Sequence, residues 1–264
     1  MQTTNAESVS KGAIAALLTA LFLLGGCVST TERVFTEEAS PKKALERRVE
    51  LARRYIADGN WEGANRNLEL AKEIDAGNAD VYEAFGLLYQ RTGELELAEE
   101  HFERSIELDR SCSRCRNNFA AFLYSQQRYA EAEKQLERVV KDALYSGRPL
   151  ALINLGLCRR QLGDAAGAEE AFKRALSLER NNPVALLEVA QLRYEAGDIA
   201  GASEYYARYR SLTRKQSAAG LWLGIRLARQ TGDHNAEASY QMALINLYPD
   251  SPEFQAYQRF ERGE

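Results

Sequence analysis

Residues Asn154–Pro183 read NLGLCRRQLGDAAGAEEAFKRALSLERNNP. Within them Gly156, Ala168, Phe172 and Ala175 stand at offsets of 0, 12, 16 and 19, with Gly163-Asp164 between the first two. Small and apolar residues spaced by three and four lie on one helical face, and a Gly-Asp pair between two such runs ends one helix and opens another. The spacing predicts two helices crossing so closely at Gly156 and Ala168 that nothing larger than Gly or Ala fits.

The unit recurs. The small residue of the first helix reappears as Ala52, Gly86, Ala120, Gly156, Ala190 and Gly224, at intervals of 34, 34, 36, 34 and 34. The small residue of the second helix follows the same intervals as Ala64, Ala98, Ala132, Ala168, Ala202 and Ala236, and a bulky residue stands four later each time: Leu68, Phe102, Leu136, Phe172, Tyr206 and Tyr240. A helix–turn–helix of this period resembles the tetratricopeptide repeat. The resemblance implies an all-α chain, a right-handed superhelical solenoid of six repeats at 45–78, 79–112, 113–146, 149–182, 183–216 and 217–250. Repeat three has Gln127-Arg128 where a turn glycine is expected, and repeat six has an uneven turn, Thr231-Gly232-Asp233. Two extra residues in Leu144–Pro149 fall in a loop between repeats. Phe254, Tyr257 and Phe260, in 251–264, predict a short C-terminal helix capping the last apolar face, which a solenoid requires.

Composition excludes several functions. The 264 residues are 45% hydrophobic and 27% charged with a net charge of −4, so no basic stripe marks a nucleic-acid binder. Two His and four Cys give no metal-ligand spacing, no Ser-His-Asp arrangement is legible, and the glycines sit at turns and packing positions. No catalytic residue, metal, cofactor or small-molecule substrate is expected. Cys112-Ser113-Arg114-Cys115 straddles repeats two and three in a helical setting, outside the βαβ context of redox motifs. It reads as a local disulfide or as two free thiols. Cys158, on a first helix, reads as a small buried hydrophobe.

The N-terminal segment carries an address. Lys11 precedes the apolar run Ala13–Leu24, the length of a signal-peptide core and too short to span a bilayer. It runs into Leu24-Gly25-Gly26-Cys27, which resembles the lipobox of bacterial lipoproteins. That resemblance implies cleavage after residue 26 and acylation of Cys27, and several acyl chains suffice for stable anchoring. Val28-Ser29 follows, without the Asp that retains such proteins at the inner membrane, so the expected location is the periplasmic face of the outer membrane. Residues 27–44 are expected to be a polar tether.

Function must then reside in the face formed by the first helices, where such arrays hold extended or helical segments. The expected lining includes Val49, Arg53, Ile56, Asn117, Tyr124, Leu150, Ile153, Leu157, Leu187 and Tyr194, an apolar set suited to an apolar or amphipathic ligand segment. Repeat three is distinctive: Asn117-Asn118-Phe119, Phe122-Leu123-Tyr124, Gln126 and Arg128-Tyr129-Ala130-Glu131-Ala132. With Leu144-Tyr145 and Leu223-Gly224-Ile225-Arg226-Leu227-Ala228, this string resembles the type IV pilus biogenesis/stability lipoproteins, or secretin pilotins. The resemblance implies an outer-membrane lipoprotein that binds secretin subunits and promotes their insertion and ring assembly. A different envelope scaffold lipoprotein, serving β-barrel assembly or peptidoglycan enzymes, is the alternative.

Overall fold

A computed structural model of the chain describes residues 40–263. The signal segment, Cys27 and residues 28–39 of the tether lie outside the described residues; residues 41–44, expected to belong to the tether, are instead the first turn of a helix. Those described form thirteen helices and no strand. Repeat one is α1 (Pro41–Ala57) and α2 (Trp61–Ile74), repeat two α3 (Ala79–Thr92) and α4 (Leu95–Leu108), and repeat three α5 (Ser113–Ser125) and α6 (Tyr129–Val139). Repeat four is α7 (Arg148–Gln161) and α8 (Ala165–Leu178), and repeat five α9 (Pro183–Glu195) and α10 (Ile199–Leu212). Repeat six is α11 (Ala218–Thr231) and α12 (His234–Leu247), and α13 (Pro252–Arg262) closes the array. The repeats belong to one compact unit, Lys43–Glu264.

Helix boundaries follow local chemistry. Asn60, Asp164, Asp198 and Asp233 open second helices, each side chain accepting from a backbone N–H three residues on. Asn182, Ser217 and Ser251 cap α9, α11 and α13 in the same manner, and Asn78 caps α3 by accepting from the Asp80 N–H two residues on. The turn inside a repeat needs one residue with positive φ, supplied by glycine in five repeats and by Gln127 (φ 60°) in the third. Gln127 is the position where a turn glycine is missing from the sequence.

The close crossings are present. A Cβ on Gly86 would come within 2.8 Å of the Phe102 ring, and one on Gly156 within 2.7 Å of the Phe172 ring. Repeats one and three use the other solution, Ala52 with Leu68 and Ala120 with Leu136, all fully buried. Glycine therefore accompanies the flat aromatic ring and alanine the narrower leucine. Repeat five pairs Ala190 with Tyr206, whose hydroxyl donates past the crossing to Gln216 Oε1 (2.8 Å) in the loop after α10.

Repeat six departs from the sequence alignment by one residue. Loops of four residues separate α2 from α3, α4 from α5 and α8 from α9, whereas Thr213–Ser217 supplies five between α10 and α11. The positive-φ turn residues accordingly run 59, 93, 127, 163, 197 and 232, the last interval being 35. One residue is about 100° of helix rotation, so every later position turns to a different neighbour. Ala236, aligned with five fully buried alanines, is only half-buried, and Glu237 and Leu244 face inward instead. On α11, Ile225 is buried where the preceding repeats place a groove residue, and Arg226 takes the groove position. Gly224 still lies against the Tyr240 ring, which a Cβ would approach to 2.9 Å, but it now also faces the Tyr206 hydroxyl of the preceding repeat. A cleft of about 200 Å³ between repeats five and six, lined by Tyr206, Arg210, Gly224, Ala236 and Tyr240 among others, accompanies this shift.

The insertion sits in the loop before α7, as its register requires. Asp142 accepts from Ser113 Oγ (2.6 Å) and from the Leu144 amide (3.0 Å), and Arg148 Nε donates to the Val140 carbonyl (2.9 Å). Tyr145 packs against the core while Leu144 is 96% exposed. At the other end α13 lies on α11: Trp222 meets Tyr257 and Phe260 edge to face at 6.2 and 5.5 Å, and Arg229 bonds Glu261.

Candidate functional site: the first-helix face

The ten residues expected to line the groove divide into two groups. Val49, Ile56, Ile153 and Leu187 are buried in the apolar core, and Asn117 is buried at 4% exposure, so these five form the floor beneath the face and do not line it. A side chain one helical position from the groove stripe is already under the adjacent helix, which is why the sequence pattern could not separate the two. Arg53, Tyr124, Leu157 and Tyr194 are half-buried and Leu150 is exposed; these five do reach the surface.

The face is more polar than its apolar columns suggest, because a ladder of charged and amide side chains ties each first helix to the next. Its first rung is Glu83 of α3, fully buried. Glu83 Oε2 accepts from Arg53 of α1 (2.5 Å) and from Arg114 of α5 (2.6 Å), while Oε1 accepts from Asn118. Arg114 also pairs with Asp80. One carboxylate thus joins three repeats, with both oxygens engaged, as a buried charge must be. The next rung is Asn154 Nδ2 to Asn117 Oδ1 at 3.2 Å, between α5 and α7. Then Arg160 of α7 bonds Glu188 and, at 3.1 Å, Glu195, both of α9.

Between the second and third rungs the face opens into a small apolar cleft of about 80 Å³, lined by Ala120, Ala121, Tyr124, Leu136, Asn154, Leu157 and Cys158. Tyr124, which lines the cleft, packs edge to face against Tyr129 (5.1 Å). Burial pushes the Tyr124 phenol above its ordinary pKa, Gln161 opposing by hydrogen bonding. At the cleft floor burial, with a smaller contribution from Glu133, pushes the Cys158 thiol up to about 12. Cys158 is therefore an inert packing residue at neutral pH.

Arg226 of α11 ends the ladder differently. Its guanidinium lies 4.7 Å from the Tyr194 ring centroid and 5.1 Å from that of Trp222. Burial pushes its pKa down, against the opposing charges of Tyr194 and Glu195.

Cys112 and Cys115 form a disulfide, resolving the two readings left by the sequence. Cys112 is the N-cap of α5, and its sulfur accepts from the Cys115 amide at 3.1 Å. Asp80 lies beside the pair, but sulfurs bonded to each other offer no thiolate to a metal.

The sequence did contain a signal for the first rung. The fifth position of the repeats reads Val49, Glu83, Asn117, Ile153, Leu187 and Leu221, an apolar column broken in repeats two and three. For Arg226 no such signal exists, because its place on the face depends on the extra residue in Thr213–Ser217.

Family models described as tetratricopeptide repeat match residues 79–112, 118–185 and 159–221. The fold and the interlocked first-helix face are thus those of a tetratricopeptide-repeat protein. The type IV pilus assembly protein PilF of Pseudomonas aeruginosa is 35% identical over 236 residues, covering 89% of this chain and 93% of the relative. The solved PilF structure superposes with a TM-score of 0.78 at 37% identity, over 83% of this chain and 98% of PilF. PilW, described as a widely conserved type IV pilus biogenesis factor, superposes with a TM-score of 0.71 at 25% identity, over 82% and 99% of the two chains. The chain belongs to the PilF family of type IV pilus assembly tetratricopeptide-repeat proteins.

Proposed function

We propose that this chain is an outer-membrane lipoprotein, anchored through acylated Cys27 and facing the periplasm, that binds secretin subunits and promotes their multimerisation for type IV pilus biogenesis. It acts as a non-catalytic scaffold with no cofactor. The observation that carries the reading is the open section of the first-helix face at repeats three and four. There the ladder leaves the apolar cleft free between Tyr124 and Leu157, and the same pair of repeats exposes two large apolar side chains, Leu144 at 96% in the loop before α7 and Leu150 at 53% at its start. A leucine held in water on a well-anchored loop suits a partner surface. Membership of the PilF family and the Leu24–Cys27 lipobox point the same way.

The test has two arms. Deleting the protein should leave the secretin as monomers depleted from the outer-membrane fraction, and Cys27→Ser should relocate the protein and reproduce that defect. A Leu144→Asp/Leu150→Asp variant should keep its helical signal and melting temperature but fail to recover secretin in a crosslinked pull-down. Normal secretin rings in the deletion strain would refute the reading.

A further inference from the structure

Arg226 is a charged residue without an ion-paired partner. Among the described residues it forms no hydrogen bond or ion pair; the Tyr194 and Trp222 rings lie beside its guanidinium, and its Nε is buried with no acceptor. The contrast along the same face is sharp. Arg53 and Arg114 share Glu83, Arg160 holds Glu188 and Glu195, and Arg229 holds Glu237 and Glu261. Glu195, whose charge reaches Arg226, is bonded to Arg160. Leaving a partly buried guanidinium without an acceptor costs free energy, and stacking between two rings compensates only in part. The two rings hold the guanidinium in place, and its unpaired N–H groups suit a planar, bidentate acceptor.

We propose that Arg226, clasped by Tyr194 and Trp222, is a carboxylate-anchoring site that receives an Asp or Glu side chain of a partner segment lying along the first-helix face. The proposal rests on the reading of that face as a partner-binding surface. A side-chain carboxylate fits better than a chain terminus because the face does not end at Arg226. It continues through Trp222 onto Tyr257 and Phe260 of α13 in one direction and past Arg160 toward the Tyr124 cleft in the other. A segment crossing Arg226 therefore passes over it. The aromatic rings on both sides call for apolar residues flanking the acid.

The probe is an array of 15-residue peptides containing tiles of the secretin's periplasmic part, random sequences and residues 28–42 of this chain. Each hit is resynthesised with Asp/Glu→Asn/Gln and, separately, with an amidated C-terminus. Binding to the full-length chain in detergent is read from Trp222 emission in a Trp61→Phe background, since Trp61 and Trp222 are the two tryptophans. We expect neutralising one internal acid to weaken binding at least tenfold. Arg226→Gln should weaken the acidic peptide equally, with no further loss when both changes are combined. Amidation should have no effect. Equal binding of acid and amide side chains, unchanged affinity in Arg226→Gln, or no peptide bound at all would overturn the site. Loss on C-terminal amidation would make the reader one of chain termini, and preference for residues 28–42 would make the occupant this chain's own tether; either outcome overturns the assignment. The peptide-side substitution leaves the protein unaltered, so the test survives a poorly folded Arg226 variant. Random acidic peptides held through Arg226 with silent secretin tiles would keep the site and remove the secretin reading. Secretin tiles held without any dependence on acid would do the reverse.

Discussion

At the scale of single residues, the fold depends on which side chain faces each small one. Gly156 lies under Phe172 with no room for a methyl group, yet Ala120 tolerates Leu136 in the same place one repeat earlier. Gly156→Ala should gain about 1 kcal/mol in helix propensity and lose about 1–3 kcal/mol through overpacking. We expect a net loss near 1 kcal/mol in urea unfolding. Adding Phe172→Leu recreates the Ala120/Leu136 pair and should recover most of that loss; strictly additive effects would argue against this account of the crossing. Cys158 gives a second residue-scale prediction. With its thiol pushed up to about 12, it should not react with a disulfide reagent at pH 8 in the folded Cys27→Ser protein. In denaturant one thiol per chain should react, because Cys112 and Cys115 are joined. Rapid labelling of the folded protein, or three reactive thiols in denaturant, would contradict the structure.

At the scale of elements, neighbouring first helices are fastened by their polar rungs as well as by apolar packing. Glu83 is the rung with most to lose, since its removal leaves Arg53 and Arg114 facing each other and Asn118 without its acceptor. Glu83→Ala should cost about 3 kcal/mol, the scale of breaking a buried ion pair. The loss should be felt where α1, α3 and α5 meet, and faster amide exchange confined to those helices would localise it. Arg160→Ala, whose partners are partly exposed, should cost well under that amount. An equal loss in the two variants would show that burial is not what distinguishes the rungs. The same reasoning explains why the buried half of the expected groove set was misplaced. Position within a repeat identified the stripe facing the neighbouring first helix, but burial of Val49 or Ile153 against exposure of Leu150 is decided by the neighbour's side chains.

At the scale of the whole molecule, a solenoid is a row of similar interfaces whose stabilities need not match. Repeats three to five share one continuous core with Ala98 and Phe102 of repeat two, while the first helix of repeat two packs with repeat one. Of repeat six, Leu223 and Leu227 are buried in that core and Ala219 and Tyr240 pack against it, whereas Leu221, Ile225 and Leu244 form a separate cluster. The cleft of about 200 Å³ lies at this junction, and α13 has no fully buried residue. Hydrogen exchange should therefore find α11–α13 opening at lower free energy than α5–α9. Uniform protection from α3 to α13 would mean that the one-residue shift costs the array nothing. If the Arg226 site binds a segment spanning α9, α11 and α13, the same helices should gain the most protection when the partner is present.

The sequence by itself determined the repeat unit, its number, the turn positions, the place of the insertion and the capping helix. These depend on local chemistry and on period, which a linear string records in full. It also carries Glu83 and Asn117 as polar residues in an otherwise apolar column, a signal that the groove expectation did not use. Only the tertiary structure decided that Cys112 and Cys115 are joined, that Val49, Ile56, Asn117, Ile153 and Leu187 lie beneath the face, and that repeat six is turned by one residue. The reason is geometric. Asn154–Pro183 predicts its own helices, but which side of each helix meets its neighbour is fixed by loop length and by side chains about one repeat away in the sequence. One extra residue in Thr213–Ser217 was enough to move Arg226 onto the groove, where it stands unpaired.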